Sequence, residues 1–260
     1  RPLLMRAACC EATVLRNEVI APDIRLLTVV WPDRDHAPHA GQFFTLRSWG
    51  ADEAPFLSRP ISVHRWNPDS STIEFLYQVV GEGTEKLAQL KQQDTFQLTG
   101  PMGNGFDVPD ILSKYKKIAV VGGGIGTAPL LLLCKELCRA GVRPDLFVGF
   151  RDTTYGMDRF VPWCRDIYAA TDSGKEGHHG LVTDLLDVSK YDIVLTCGPM
   201  VMMRGVAKLC AAAGVPCLAS LEKKMACGLG ACLGCTCHTK IGPVTVCKDG
   251  PVFNAQEVFD

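Results

Sequence analysis

Near the C-terminus the chain reads Met225–Ala226–Cys227–Gly228–Leu229–Gly230–Ala231–Cys232–Leu233–Gly234–Cys235, and Cys247 follows. This segment constrains the fold more than any other, because closely spaced thiols of this kind must converge on something. The pattern is C-x₄-C-x₂-C…C, the spacing of plant-type [2Fe–2S] proteins. A cluster held by thiolates carries net negative charge, so the surrounding backbone must turn its N–H groups toward the sulfurs. Gly228, Gly230 and Gly234 allow so close a curl. Leu229 and Leu233 are expected to shield the site from water, burial and N–H···S bonds being what tunes such a centre. A structural zinc site and a set of unligated thiols are the alternatives. Zinc sites come more often as paired knuckles with longer intervals, whereas here a triplet is joined by one distant cysteine. Cys227, Cys232, Cys235 and Cys247 are therefore the expected ligands. Cys237, two residues after Cys235, is expected on the other side of an extended segment.

The remaining cysteines of the thirteen are scattered, many among apolar neighbours such as Cys134, Cys138, Cys197 and Cys210. That distribution reads as a reducing cytoplasm with one dedicated thiolate site rather than a disulfide framework. At 260 residues the chain has room for two ordinary domains and an appendage. A formal net charge of −1 argues against binding nucleic acid through a basic surface. No apolar run reaches the roughly 20 residues that span a bilayer. The basic, apolar Arg1–Ala8 is too brief for a complete signal peptide.

Three segments follow different grammars, giving a multi-domain β plus α/β fold. Residues 1–108 read as an antiparallel β-barrel, with strands at Glu11–Val19, Ile24–Trp31, Gly41–Leu46, Pro60–Arg65 and Ser71–Val80 punctuated by Gly and Pro. One helix, Gly83–Leu90, interrupts them, with Thr84 as its expected N-cap. Residues 109–220 alternate strand and helix as a parallel-sheet nucleotide domain does: Lys117–Val121, Ala128–Arg139, Pro144–Phe150, Asp192–Thr196, Met200–Ala213 and Pro216–Leu221. Residues 221–260 form a small cluster-binding segment, too short to bury its own core, whose shape a bound metal would explain.

Two features suit phosphate. In Arg59–Pro60–Ile61–Ser62 an arginine and a nearby hydroxyl open a strand, and in Gly81–Glu82–Gly83–Thr84 a glycine-rich turn meets a helix start. Taken alone, Arg59 reads more readily as an ordinary surface arginine. Gly122–Gly123–Gly124–Ile125–Gly126 joins a strand to a helix but departs from strict G-x-G-x-x-G, since Thr127 holds the sixth position. Gly122, Gly124 and Gly126 are candidates for nucleotide contact, against the alternative of a plain tight turn. Cys197–Gly198–Pro199 ends another strand and would line the same sheet edge.

In this order, Arg59–Ser62, Gly81–Thr84, Gly122–Pro129 and Cys197–Met200 resemble the ferredoxin–NADP⁺ reductase superfamily. The tail, Lys224–Cys232 together with Cys247–Lys248–Asp249–Gly250–Pro251–Val252–Phe253, resembles the electron-transfer subunits of B-type, NAD-dependent dihydroorotate dehydrogenases. The resemblance implies FAD, a [2Fe–2S] cluster and NAD as the redox partner. It implies that Arg59 and Ser62, on the strand with Pro60 and Ile61, contact the flavin. By the same resemblance Gly83 and Thr84 hold its pyrophosphate, and the strand of Leu76 and Tyr77 runs beside the adenosine. It implies a separate FMN-containing dihydroorotate dehydrogenase catalytic subunit as partner, in a cytoplasmic heterotetramer serving pyrimidine synthesis. Sibling subunits of sulfite reductases, hydrogenases or ferredoxin-dependent transhydrogenases share the pattern, and a non-redox zinc module is the remaining alternative. Phe259 is not expected to stack on the flavin, because the chain runs on into the cluster tail. Arg151 and Arg159, after the domain's second strand, stand where a basic residue can accept a 2′-phosphate, and read equally as plain surface arginines.

Overall fold

The computed structural model describes residues 7–33 and 35–259, so most of Arg1–Ala8 lies outside the described residues. Strands β1 (Ala8–Ala21), β2 (Ile24–Val30), β3 (Phe43–Arg47), β4 (Arg59–Ser62), β5 (Arg65–Asn67), β6 (Thr72–Gln78) and β7 (Thr95–Met102) form one antiparallel sheet. Its order is β4-β3-β7-β1-β2-β6-β5. The two edge strands are consecutive in the chain and only Val63 and His64 separate them, so the sheet has to curl until its edges meet. Val63 N–H donates to Gln42 O at 3.0 Å, and His64 N–H donates to Glu74 O at 2.9 Å on β6, which closes the corner. Inside, Trp31, Phe44 and Phe75 pack edge to face, with ring centroids 5.0 and 5.8 Å apart.

Helix α1 (Glu82–Ala88) crosses from β6 toward β7. Its N-cap is Gly81, and Thr84 stands one turn further in. The Thr84 hydroxyl still satisfies the helix start, accepting N–H bonds from Val80 and Gly81 at 2.9 and 3.1 Å. The expected N-cap role thus moves to a reciprocal bond from inside the helix. Helix α2 (Val108–Lys114), capped by the Asp107 carboxylate, leads into the second sheet.

That sheet holds β8 (Ile118–Gly123), β9 (Asp145–Phe150), β10 (Ile167–Thr171), β11 (His178–His179), β12 (Ile193–Cys197), β13 (Cys217–Ser220) and β16 (Val252–Asn254). Its order is β11-β10-β9-β8-β12-β13-β16. All neighbours are parallel except β16, which runs antiparallel to β13 with Ser220 opposite Val252. The central strands are buried on both faces because α3 (Leu130–Arg139), α4 (Val182–Leu185) and α5 (Met200–Ala213) cover them, which explains their unbroken apolar runs. Strand β10 and helices α2 and α4 are absent from the sequence reading, as is β7.

The tail is less independent than its length suggests. A hairpin of β14 (Thr236–Thr239) and β15 (Gly242–Thr245) carries the late cysteines, and α6 (Ala255–Val258) follows β16. Phe259 is buried in the apolar cluster that contains Val206, Ala219 and Ala255. The end of the chain is therefore anchored in the nucleotide domain's own core. Among the described residues no helix is long and apolar enough to cross a membrane.

Candidate functional site

The hairpin β14–β15 brings two distant cysteines together. Thr236 pairs with Thr245, and beyond that pair Val246 N–H donates to Cys235 O, so Cys247 returns beside Cys235. Cys247 N–H also donates to the Cys235 sulfur at 3.4 Å. On the other side, a tight curl points Leu229, Ala231 and Cys232 N–H groups at the Cys227 sulfur, at 3.4, 3.3 and 3.5 Å. Gly230 N–H reaches the Cys247 sulfur at 3.1 Å, and Gly234 N–H the Cys232 sulfur at 3.4 Å. Gly228 and Gly230 take φ of 69° and 79°, the left-handed region that this curl demands.

Electrostatics follow from those bonds. Burial opposes ionisation of Cys227, yet the N–H groups of Cys232, Leu229 and Ala231 outweigh it and bring the thiol down to about 6. Burial and the neighbouring Cys235 push Cys247 up to about 12, so the site disfavours a second bare thiolate there. The thiols associate two by two, Cys227 with Cys232 and Cys235 with Cys247. Among the described residues no three ligating side chains close on a single point. Two pairs of sulfurs lined by backbone donors fit a two-iron cluster, in which each iron takes two thiolates.

Two details of the sequence reading need correction. Leu229 and Leu233 do not cover the site: they are 61% and 63% exposed and point outward. Alternation along a strand does not remove Cys237 either, because residues two apart share a face. Cys237 is set apart instead by its bonding: it pairs with Val244 across the hairpin, and none of the loop N–H groups that point at the Cys227, Cys232, Cys235 and Cys247 sulfurs points at its own.

The cluster loop rests on the barrel. A Cβ on Gly228 would lie 2.8 Å from Met102 Sδ and 3.7 Å from Thr45 Cγ2. Thr45 faces Pro60 across β3 and β4, so the loop touches the strand that neighbours the expected flavin strand, the two strands lying about 4.8 Å apart. Asn104 stitches the contact: its N–H donates to Gly250 O and its amide to Lys248 O, both at 2.7 Å. Met102, Thr45 and Asn104 are missing from the sequence reading, and no local signal marks them.

On β4 all of Arg59, Pro60, Ile61 and Ser62 are half-buried, leaving one side of the strand open. Pro60 suits this edge, having no N–H to offer a further strand. The Arg59 side chain lies across the first turn of α1, where a Cβ on Gly83 would come within 2.8 Å of its Nε. Arg59 Nη2 donates to Leu57 O at 2.5 Å, whereas its Nε is buried without a partner. An orphaned guanidinium N–H against a helix start matches what a phosphate would fill. Leu76 and Tyr77 play different parts. The Tyr77 ring is inside the barrel, its hydroxyl donating to Asn17 Oδ1 at 3.2 Å, and Asn17 in turn holds Leu87 O and Leu90 O of the α1 end. Leu76 faces the other way, among Ile24, Leu26 and Ala128 at the joint with the second sheet.

At that joint the Gly-rich turn leaves β8. A Cβ on Gly122 would strike Leu130 and Thr127 side chains at 2.8 and 2.9 Å, and Gly124 takes φ of 50° with open space around it. Gly126 is the tightest: its Cβ would sit 2.4 Å from Gly198 Cα and 2.8 Å from Cys197 O. The turns after β8 and β12 thus touch backbone to backbone and form one wall at the carboxyl edge of the sheet, where open α/β folds bind ligands. Arg159 does not face this edge as a free cation. It is ion-paired with Glu74 of the barrel, which Arg65 also approaches at 3.9 Å. Arg151 is exposed at the end of β9.

The family model for the iron-sulfur cluster binding domain of dihydroorotate dehydrogenase B matches residues 222–259. The electron transfer subunit of dihydroorotate dehydrogenase B (NAD(+)) from Clostridium acetobutylicum is 47% identical over 219 residues, 84% of this chain and 85% of that protein. The same subunit from Caldanaerobacter subterraneus subsp. tengcongensis is 39% identical over 255 residues, 96% of this chain and 98% of that protein. The chain belongs to this family. A solved NADH-dependent reduced ferredoxin-NADP oxidoreductase, described for flavin-based electron bifurcation, superposes with a TM-score of 0.80 at 25% identity. It covers 95% of this chain and 89% of its own. The fold is therefore the antiparallel sheet joined to a parallel nucleotide sheet that the resemblance implied.

For a dihydroorotate dehydrogenase B electron-transfer chain the Arg59 geometry gives a direct expectation. Arg59→Ala should weaken FAD retention ~10–100-fold, since a charge-assisted hydrogen bond contributes ~1.5–3 kcal/mol. Flavin absorbance per protein after gel filtration measures this, with acid-labile sulfide unchanged.

A second expectation concerns pH. Burial raises the Glu136 carboxyl on α3 to about 7, although it accepts the Ala40 N–H at 3.1 Å and Lys135 is adjacent. A carboxyl raised on folding contributes stability that is full below about 4.5 and is lost as pH rises through 7. Glu136→Gln keeps the acceptor without the charge. It should raise the melting temperature at pH 8 and leave it unchanged at pH 4.5, each tenfold change in proton affinity being worth ~1.4 kcal/mol.

Proposed function

We propose that this chain is the electron-transfer subunit of a dihydroorotate dehydrogenase B. It carries electrons from an FMN-containing catalytic subunit that oxidises dihydroorotate to orotate, by way of a [2Fe–2S] cluster and FAD, to NAD⁺ in pyrimidine synthesis. The observation that carries this reading is the seating of Gly228 on Met102 and Thr45, one strand from Arg59–Ser62. Flavin supplies the exchange between single electrons and a hydride that nicotinamide requires. The chain's own residues position: Cys227, Cys232, Cys235 and Cys247 hold the cluster, and Arg59 and Ser62 hold the flavin strand's partner. Gly83 and Thr84 shape the phosphate turn, and Gly122, Gly124 and Gly126 admit the dinucleotide. The domains are the flavin barrel at 1–108, the nucleotide domain at 109–220 and the cluster segment at 221–260. Leu229 and Leu233, exposed on the cluster loop, suit a face covered by the catalytic subunit. The assembly is a cytoplasmic heterotetramer in this reading.

Co-purification tests it. Tagged chain should bring down an FMN-containing dihydroorotate dehydrogenase subunit in equal amount, and light scattering should give the mass of two copies of each. Cys232→Ser should keep NADH oxidation by artificial acceptors and lose coupling to dihydroorotate. A variant that still couples the two would overturn the relay. The 0.80 TM-score to a ferredoxin-NADP oxidoreductase favours a second reading, a ferredoxin-linked sibling subunit. Recovery of a ferredoxin-linked partner in place of the dihydroorotate-oxidising one would decide for it.

A further inference from the structure

His64 is the side chain that the proposed chemistry leaves unexplained. It stands two residues after Ser62, at the corner where β4 turns into β5 and the barrel closes. It is 1% exposed, so no substrate or solvent reaches it. Its backbone N–H is bonded to Glu74 O on β6, and its ring Nδ1 lies 2.7 Å from Ala128 O. A carbonyl can only accept, so Nδ1 carries the proton and Nε2 holds a lone pair, which is buried without a partner. Burial is the main cause holding the ring neutral, at about 3, with Arg159 and Arg65 adding repulsion and the Ala128 bond acting the other way. A neutral, enclosed imidazole with one bond is neither an acid–base catalyst nor, with a single contact, a metal ligand.

Ala128 gives the bond its significance. It closes the short 3₁₀ turn Gly124–Thr127, the turn whose Gly126 abuts Gly198 and Cys197. A continuous chain of contacts therefore runs from the flavin strand through Val63 and His64 to Ala128, then to Gly126 and the Cys197–Pro199 turn. The other polar ties at this joint attach elsewhere, while apolar packing of Ala128 on Ile24, Leu26 and Leu76 holds the turn against β2 and β6. Lys135 Nζ donates to Trp66 O at 2.6 Å on β5, and Arg159 pairs with Glu74 on β6. His64 is the link that joins the corner after β4 to the nucleotide turn itself.

We propose that His64 is a positioning residue that sets the Gly124–Ala128 turn against the flavin strand, and so aligns nicotinamide with flavin for hydride transfer. The inference rests on the functional reading above, with flavin on β4 and dinucleotide at the Gly-rich turn. The step it serves is the transfer of one hydride between nicotinamide and flavin, two electrons and a proton together. His64 itself gains and loses nothing.

Three variants test it in the full chain with its cofactors: His64→Leu removes the donor, His64→Asn places an amide N–H where Nδ1 lies, and His64→Gln places one where Nε2 lies. Hydrogen exchange of residues 122–130, followed by mass spectrometry, reads the turn without reference to activity. Stopped-flow reduction of bound FAD by NADH reads the alignment. His64→Leu and His64→Gln should exchange faster in that segment and reduce flavin ~10–100-fold more slowly, the scale of an ångström-level misplacement. FAD content and apparent NADH affinity should stay within about twofold, because neither ligand loses a contact. His64→Asn should restore both readouts. Should His64→Leu fail to fold, the Asn and Gln variants decide alone, and equal rates for those two sink the inference. Wild-type exchange and wild-type flavin reduction in His64→Leu would sink it as well. A parent protein that binds FAD but never reduces it with NADH would instead remove the functional reading, and this inference with it.

Discussion

Cys235→Ser is expected to remove iron and acid-labile sulfide from the purified protein while FAD stays bound. The matched Cys237→Ser is expected to keep both. The two cysteines are two residues apart on one chain segment, so the pair separates ligation from general disturbance. Cys235 faces Cys247 across the open end of the β14–β15 hairpin, and Cys247 N–H is bonded to its sulfur. Cys237 lies within β14, paired with Val244, and none of the N–H groups that face the other four sulfurs faces its own. Loss of a ligand should exceed the 10–100-fold that altering a ligand's supporting shell costs in affinity. Iron and sulfide assays, with the electron paramagnetic resonance of the reduced protein, measure it. NADH oxidation by artificial acceptors should persist, since Arg59, Gly83 and the Gly-rich turn lie outside the tail. An iron-free Cys237→Ser, or a cluster-bearing Cys235→Ser, would reassign the ligand set.

Gly126→Val is expected to abolish NADH-dependent flavin reduction while sparing both FAD and cluster. A side chain there would enter 2.4 Å from Gly198 Cα, 2.7 Å from Gly198 N and 2.8 Å from Cys197 O. All of these atoms are backbone and none can rotate away, so the turns after β8 and β12 must separate. Overpacking of this kind costs about 1–3 kcal/mol in stability, visible as a lower melting temperature. The functional loss should be larger than the stability loss, because the wall being split is the one proposed to meet the dinucleotide. Gly124→Ala is the comparison: its surroundings are open and only the left-handed φ of 50° resists the change. It should retain most of the reduction rate. A Gly126→Val protein with normal NADH kinetics would show that the dinucleotide binds elsewhere.

The parts of this molecule that were legible from letters are those whose cause is local. Helix α5 runs Met200–Ala213 as its periodicity indicates, and β8 leads into the glycine turn where the apolar run indicates. The cysteine spacing was readable because one short loop supplies Cys227, Cys232 and Cys235 and most of the N–H groups that face the sulfurs. Strand β7 escaped notice because Gly100 and Pro101 interrupt its pattern. Gly100 is required there, a Cβ coming within 2.4 Å of the Phe44 ring, which is a contact no local pattern shows. Leu229 and Leu233 misled because an apolar side chain does not by itself report burial. Arg159 looked like a phosphate ligand because Glu74, its ion-pair partner, lies 85 residues away. His64 and Asn104 have the same character: each acts on backbone 64 and 144 residues distant.

The pairing of β13 with β16 has a consequence for how the protein comes into being. Ser220 and Val252 are neighbours in one sheet, so the cluster loop begins and ends at a single place, like a pendant on a clasp. The clasp is made of the β13–β16 backbone bonds, to which no sulfur of the ligand set contributes, together with α6 and Phe259, which share their apolar cluster with Cys235 and Cys247. The nucleotide domain can therefore complete itself on the ribosome's product alone, metal arriving later at a loop whose two ends are already fixed. A cell short of iron would then accumulate folded, flavin-bearing protein ready for loading rather than an unfolded chain marked for degradation. Pulse-labelled chain made under iron limitation should resist protease up to Leu221 and from Val252 onward. The 222–251 stretch should gain protection only when iron and sulfide are restored.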